Sequence, residues 1–137
     1  MTFQGLYNIR DGKANDLHLI LATFLRGLYY GDSWFSLIPK NIFMANYKRV
    51  IEAILSNPNT AVKVACLPDD PDVILGYSII SKDGQTLHWV YVKSAWRKKG
   101  IGKSLTPETI MQVSHLSTLG KSLLSKLNSA IFNPFAL

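Results

Sequence analysis

The chain has 137 residues, enough for one domain (1–137) with a substantial core. With 47% hydrophobic and 18% charged residues it is not a disordered chain, and no apolar run approaches the roughly 18 residues that span a bilayer. A formal net charge of +6 and a pI near 9.5 favour anionic partners (phosphates, nucleic acid or acidic substrates), although most of the basic residues are scattered.

The N-terminal stretch MTFQGLYNIRDGK lacks a basic region followed by a long apolar run, which argues against a secretory signal. The single cysteine, Cys66, has no internal partner for a disulfide, and a reducing, cytoplasmic setting is expected. A short strand is expected over Leu6–Arg10, with a turn at Asp11-Gly12. Asn15 or Asp16 can cap the helix that follows. Leu17, Ile20, Leu21, Phe24, Leu25 and Leu28 recur at the helical period and give it one buried face, while Gly27 and Gly31 weaken its end. After the aromatic segment Tyr29–Phe35, Pro39 suits the first turn of a second helix, which carries Phe43, Met44, Tyr47, Val50, Ile51, Ile54 and Leu55 on one side. That helix ends near Asn57-Pro58.

The period then changes. Ala61–Leu67, Val73–Ile80 and Thr86–Val92 are rich in β-branched and aromatic residues and read as strands. The turn-like stretches Pro68–Pro71 and Lys82–Gln85 between them join antiparallel neighbours. Beyond the third of these strands come a glycine loop and a helix. In the tail, Val113–Ser117 reads as a short strand and Lys121–Ala130 as a helix, with Asn133-Pro134 marking the end.

Only Lys93–Lys103 forms a dense basic cluster, and glycines interrupt it as an anion site requires. Its end, Gly102-Lys103-Ser104, matches the close of a nucleotide-binding P-loop, but the first glycine of that motif would fall at position 97, which is Arg97. Antiparallel strands precede the loop, too little chain follows for a parallel sheet, and no downstream strand ends in an aspartate that could hold magnesium. The P-loop is therefore rejected. The alternative pattern, Arg97-x-x-Gly100-x-Gly102, suits a pyrophosphate: glycines let the ligand approach the backbone, and the following helix presents its positive end.

The run Val90 to Leu105, VYVKSAWRKKGIGKSL, resembles the acyl-CoA motif of the GCN5-related N-acetyltransferases, in which an apolar strand ending in valine leads to Arg/Gln-x-x-Gly-x-Gly/Ala and a helix. The order of elements over residues 5 to 117 is also similar. The resemblance implies an α/β fold with a mixed, mostly antiparallel central sheet flanked by helices, and a splayed cleft for acyl-CoA. It implies transfer of an acetyl group from acetyl-CoA to a primary amine by direct attack in a ternary complex. Trp89, Val90, Tyr91 and Val92 would hold the pantetheine and thioester. Arg97 and the N–H groups of Lys98, Lys99, Gly100, Ile101, Gly102 and Lys103 would bind the pyrophosphate, with Ser104 beside it at the helix start.

An attacking amine must be neutral, so a base is needed. The family often uses a glutamate on the strand before the loop, but no carboxylate lies between Gly84 and Glu108. His88 could take the role, or it could be a hydrogen-bonded strand histidine. Strict alternation puts Tyr91 on the opposite face from His88 unless a bulge intervenes. The family's tail tyrosine acid has no counterpart after Tyr91; Phe132 could stand in its place without a hydroxyl, and then the thiolate takes its proton from water, Ser117 or Thr118 helps, or activity is reduced or lost. Tyr29, Tyr30 and Trp34 could wall the acceptor site, with Asp32 attracting its ammonium; core packing is the competing reading. His18 and Cys66 read as structural, and no His/Cys/carboxylate spacing suggests a metal. Two alternatives stay open: a catalytically weak or inactive member of the fold that binds an anionic partner or a protein, and a nucleic-acid-associated or -modifying protein suggested by charge alone. The acceptor, and whether the protein is a monomer or a homodimer, are not encoded in any motif. Helix geometry after the loop is also open: Thr106-Pro107 either kinks a helix that starts at the glycines or marks its start.

Overall fold

The computed structural model describes residues 5–31, 33–116, 121 and 130–137. Six strands form one sheet in the order β1-β2-β3-β4-β5-β6: β1 Asn8–Asp11, β2 Thr60–Cys66, β3 Ile74–Ser81, β4 Thr86–Val92, β5 Gln112–Val113 and β6 Ile131–Phe132. The first four are antiparallel neighbours, whereas β4–β5 and β5–β6 are parallel. This is the mixed, mostly antiparallel sheet that the sequence predicts. The predicted strand at Thr86–Val92 has those bounds in the structure. β1 lies two residues later at its start than the predicted Leu6. The predicted helix over Lys121–Ala130 lies almost wholly outside the described residues.

Helices α1 (Leu17–Gly31) and α2 (Lys40–Ser56) cover one face of the sheet. Their apolar stripes bury Ile20, Phe24, Leu28, Phe43, Ile51 and Ile54 against Val64, Tyr77, Ile79 and Trp89. Each such side chain contributes roughly 1.5–3 kcal/mol on burial. A short helix α3 (Ile101–Leu105) covers the other face, where Ile101 and Leu105 pack with Leu75, Leu87, Val90, Val92 and Val113. Ser78 Oγ donates to the Leu105 carbonyl at 2.8 Å and ties the end of α3 to β3.

Asp16 does not cap α1. Its carboxylate accepts from the Lys13 N–H at 2.7 Å and takes both guanidinium nitrogens of Arg10 at 2.8 Å. The residue is buried, and Arg10 holds its carboxyl below the usual carboxylate range. The charged pair instead fixes β1 to the turn that enters α1. Pro39 is the residue before α2, not the first of its helical turn. Among the described residues, no helix is long and apolar enough to cross a membrane.

Candidate functional site

Strands β4 and β5 pair over only two residues, Thr86 with Gln112 and Leu87 with Val113, and the Ser114 N–H then donates to the Leu87 carbonyl at 3.0 Å. Beyond Leu87 no further pair joins these strands among the described residues. They part at His88, so β4 runs on to Val92 with one side open.

The parting coincides with a β-bulge. Trp89 faces Ile79 across the ladder, but Leu87 faces Ile80, which leaves His88 as an extra residue on β4. Leu87 and Val90, three apart, accordingly both join the core beneath α3, while Trp89 joins the core beneath α1 and α2. The alternation that would place His88 and Tyr91 on opposite faces is broken at this point.

Along the open part of β4 runs a cleft of about 650 Å³. One wall is the face of α1 carrying Thr23, Arg26, Gly27 and Tyr30; the floor is Trp89–Val92, and Arg97 closes one end. Gly27 permits this geometry: a Cβ there would lie 2.8 Å from Cζ2 of Trp89, whose ring stacks on Phe24 at 4.4 Å. Arg97 Nε donates to the Val92 carbonyl at 3.0 Å, anchoring the guanidinium where β4 ends. Two guanidinium groups thus border one cleft, and no carboxylate lines it among the described residues.

The basic loop makes one 3-10 turn at Ser94–Trp96, then passes through two left-handed residues, Lys98 (φ 62°) and Gly100 (φ 82°), before α3 begins at Ile101. For the lysine this conformation costs on the order of 1 kcal/mol. The first N–H groups of α3 have no partner one turn back and follow directly on the glycine. Neither option for Thr106-Pro107 holds: the helix starts at the glycine and stops after five residues, with Thr106 already extended (φ −110°, ψ 115°). Proline at 107 thus follows the helix end and cannot continue it. The shortness of α3 reduces the dipole it can offer, so the lysine and arginine charges weigh more. Ser104 turns its hydroxyl to Tyr7 at 2.6 Å and to the Gly100 carbonyl at 3.0 Å, and Ile101 is buried. Both side chains brace the loop.

The aromatic candidates separate. Tyr29 is buried; its hydroxyl donates to the Ile38 carbonyl at 2.8 Å and its ring packs on Phe43, so it belongs to the core. Tyr30 is exposed on the cleft, with Lys40 Nζ 5.5 Å over its ring. Trp34 is exposed and meets Phe35 edge-on, outside the cleft lining. Asp32, Ser117 and Thr118 lie outside the described residues. Phe132 sits in β6, half exposed and paired through Val113, away from the cleft.

His88 is buried and does not line the cleft. It borders a second, polar depression of about 220 Å³ whose lining includes Asn57, Thr60, Ser81, Thr86 and Gln112. Its Nδ1 lies 2.8 Å from Ser114 Oγ, Ser114 Oγ lies 2.9 Å from Nδ1 of His115, and Nε2 of His115 lies 2.8 Å from the Tyr47 hydroxyl. Burial lowers the pKa of His88; burial, with the nearby His88, pushes His115 down to about 4. Both imidazoles are therefore neutral at pH 7. Burial also raises the Tyr47 phenol.

Sequence reasoning missed Arg26, Ser114 and Tyr47. Arg26 had a usable signal, since Thr23, Arg26/Gly27 and Tyr30 recur at helical spacing on the polar side of α1. The other two are found only through contacts between β4, β5 and α2.

No family sequence model matches the chain, and no curated protein matches it in sequence. Solved structures do match. A candidate acetyl transferase of Pyrococcus furiosus superposes with a TM-score of 0.60 at 17% identity, covering 93% of this chain and 81% of its own. A predicted acetyltransferase of Clostridium acetobutylicum, solved with acetyl-CoA, gives a TM-score of 0.61 at 17% identity over 89% of this chain and 88% of its own. A possible acetyltransferase of Clostridium difficile 630 gives 0.50 at 15% identity over 93% and 78%. With the open β4–β5 pair, the bulge at His88 and the glycine loop that follows β4, the chain has the fold of the GCN5-related N-acetyltransferases.

Proposed function

We propose that the chain is an N-acetyltransferase that carries an acetyl group from acetyl-CoA to a primary amine by direct attack in a ternary complex. The observation that carries this reading is the cleft along the unpaired part of β4, which ends at Arg97, the residue that opens the loop with left-handed Lys98 and Gly100. A similar structure solved with acetyl-CoA supports the choice of donor.

The residues present suit that ligand. The open edge of β4 offers backbone N–H and C=O groups that a pantetheine's amides can pair with. Arg97, Lys98, Lys99 and Lys103 supply positive charge at the end where the phosphates would lie, and Arg26 adds another on α1. Acetyl-CoA contributes the activated thioester. In this reading Trp89–Val92 orient it, Tyr30 flanks it from α1, and His88 takes, through its Nε2, the proton of an acceptor that reaches it from the polar depression. As a neutral imidazole at pH 7, His88 is in the form a base requires.

Titration calorimetry with acetyl-CoA tests the core of the proposal: micromolar binding that Gly100→Trp abolishes is expected, and no binding by the pure protein refutes it. Release of free thiol across a panel of amines then tests transfer. A second reading, a binding protein of this fold without turnover, draws on Phe132, which lies away from the cleft and carries no hydroxyl. Acetyl-CoA binding with no thiol release from any amine would favour it.

A further inference from the structure

The row His88–Ser114–His115–Tyr47 joins three elements, β4, β5 and α2, through successive contacts of 2.8, 2.9 and 2.8 Å. Packing alone does not call for it. His88, Ser114 and His115 are 4%, 1% and 6% exposed, and polar groups that deep are costly unless each is matched. The His115 ring is further held edge-on between Phe24 (5.5 Å) and Tyr47 (5.7 Å), which fixes both of its nitrogens. At one end His88 borders the polar depression; at the other the Tyr47 hydroxyl is on a half-buried residue. Among the described residues, no carboxylate or ammonium group hydrogen-bonds to the row, so its only titratable members are the two histidines and the tyrosine.

We propose that this row is a proton-exit relay serving an acceptor amine that enters through the depression at His88. The proposal rests on the acetyl-transfer reading above. Hydrogen-bond bookkeeping permits two arrangements. In the first, His88 Nδ1–H donates to Ser114, Ser114 donates to His115 Nδ1, His115 Nε2–H donates to Tyr47, and His88 Nε2 carries a free lone pair. In the second, every bond is reversed, His88 carries its proton on Nε2 and Tyr47 donates to His115. Passing from the first to the second consumes one proton at His88 Nε2 and releases one from Tyr47 to water.

The acceptor's ammonium supplies the proton that is consumed and becomes the neutral amine. Its nitrogen then bonds to the thioester carbon, the C–S bond breaks, and the second nitrogen proton goes to the departing sulfur. The net products are the amide, the free thiol and one proton released to water. After product departure, one proton enters at Tyr47 and one leaves His88 Nε2 to water, which restores the first arrangement. No imidazolium need form inside the core, which is where burial penalises it most. Ser114 and His115 never touch the acceptor and are positioning residues.

Long-range ¹⁵N–¹H NMR of histidine-labelled protein at pH 7.5 tests the relay without any ligand. Both arrangements place His88 and His115 in opposite tautomers, one protonated on Nδ1 and the other on Nε2. Tyr47→Phe, a mild change, removes the Nε2 partner of His115 and should shift the ring signals of His88 two bridges away. Ser114→Ala should abolish that coupling. Matching tautomers in the wild type, or His88 signals that ignore Tyr47→Phe in a folded variant, overturn the proposal. In an acetyl-CoA assay with polylysine as amine, Tyr47→Phe should lower kcat about 10-fold and steepen its loss below pH 7, with an unchanged acetyl-CoA Kd. An unchanged kcat and pH profile in an active enzyme also overturns it. Failure of acetyl-CoA to bind refutes the transfer reading instead, and the tautomer pattern still decides whether the row is coupled.

Discussion

Replacing Gly27 by alanine adds one methyl group at the contact between α1 and β4. By itself this favours a helix, since alanine exceeds glycine by about 0.8–1 kcal/mol in a helix interior. The methyl carbon, however, would lie 2.8 Å from Cζ2 of Trp89 and 3.5 Å from its Cη2. Trp89 has little room to yield: its ring is stacked on Phe24 with an interplanar angle of 7°, and only 2% of the residue is exposed. Relief therefore requires α1 to move outward or the indole to leave its well, at the 1–3 kcal/mol typical of overpacking. The two effects oppose each other and the second is larger, so we expect a net loss of about 1 kcal/mol. Urea unfolding followed by Trp fluorescence measures it. A variant as stable as the wild type, or more stable, would refute the account of this contact and of the cleft wall built on it.

Three further outcomes are expected. Asp16→Asn breaks a two-pronged pair with Arg10 that is largely shielded from water, and should cost about 2 kcal/mol, read as a lower thermal midpoint; no change would show that the pair adds nothing to the β1–α1 corner. His115 has a folded pKa of about 4 against roughly 6.5 unfolded, so the unfolded chain binds more protons between these values. Stability from this group is complete above pH 6.5 and falls as the pH drops toward 4, by about 2 kcal/mol at pH 5; an unfolding free energy equal at pH 7.5 and 5 contradicts this. At Gly100 a built Cβ meets nothing within 4 Å, so Gly100→Ala should cost only the left-handed strain, about 1 kcal/mol, in chemical unfolding, and a loss several times larger would mean that the loop makes contacts not seen here.

The legible parts of this sequence are those whose signal is local. The period of Leu17–Leu28 predicts a helix with one buried face, and Thr86–Val92 has the bounds in the structure that its β-branched and aromatic run implies. The bulge at His88 is not legible in the same way: in TLHWVYV apolar residues fall on both faces, so no parity marks the extra residue. Tyr47 reads as one more apolar-stripe residue of α2, because only its partner on β5 reveals the use of its hydroxyl. The short α3 is a mixed case. Thr106-Pro107 does signal a boundary, but whether it begins or ends a helix depends on where Ile101 and Leu105 find their core.

The parallel pairing of β4 with β5 also bears on folding order. β2, β3 and β4 are joined by brief reversals, so their ladders close small loops and can assemble early. β5 reaches β4 only after the chain has crossed from Lys93 to Met111 over the other face of the sheet, and it gains two ladder positions there. Such a contact pays a larger closure entropy for fewer bonds and forms late. It should also open first, below the cost of global unfolding. Since Ser114 sits one residue past this pairing, the mouth of the cleft and the partner of His88 belong to the last-assembled part of the sheet, and amide exchange at Ser114 should outpace that at Val64 or Tyr77 in the β2–β3–β4 meander.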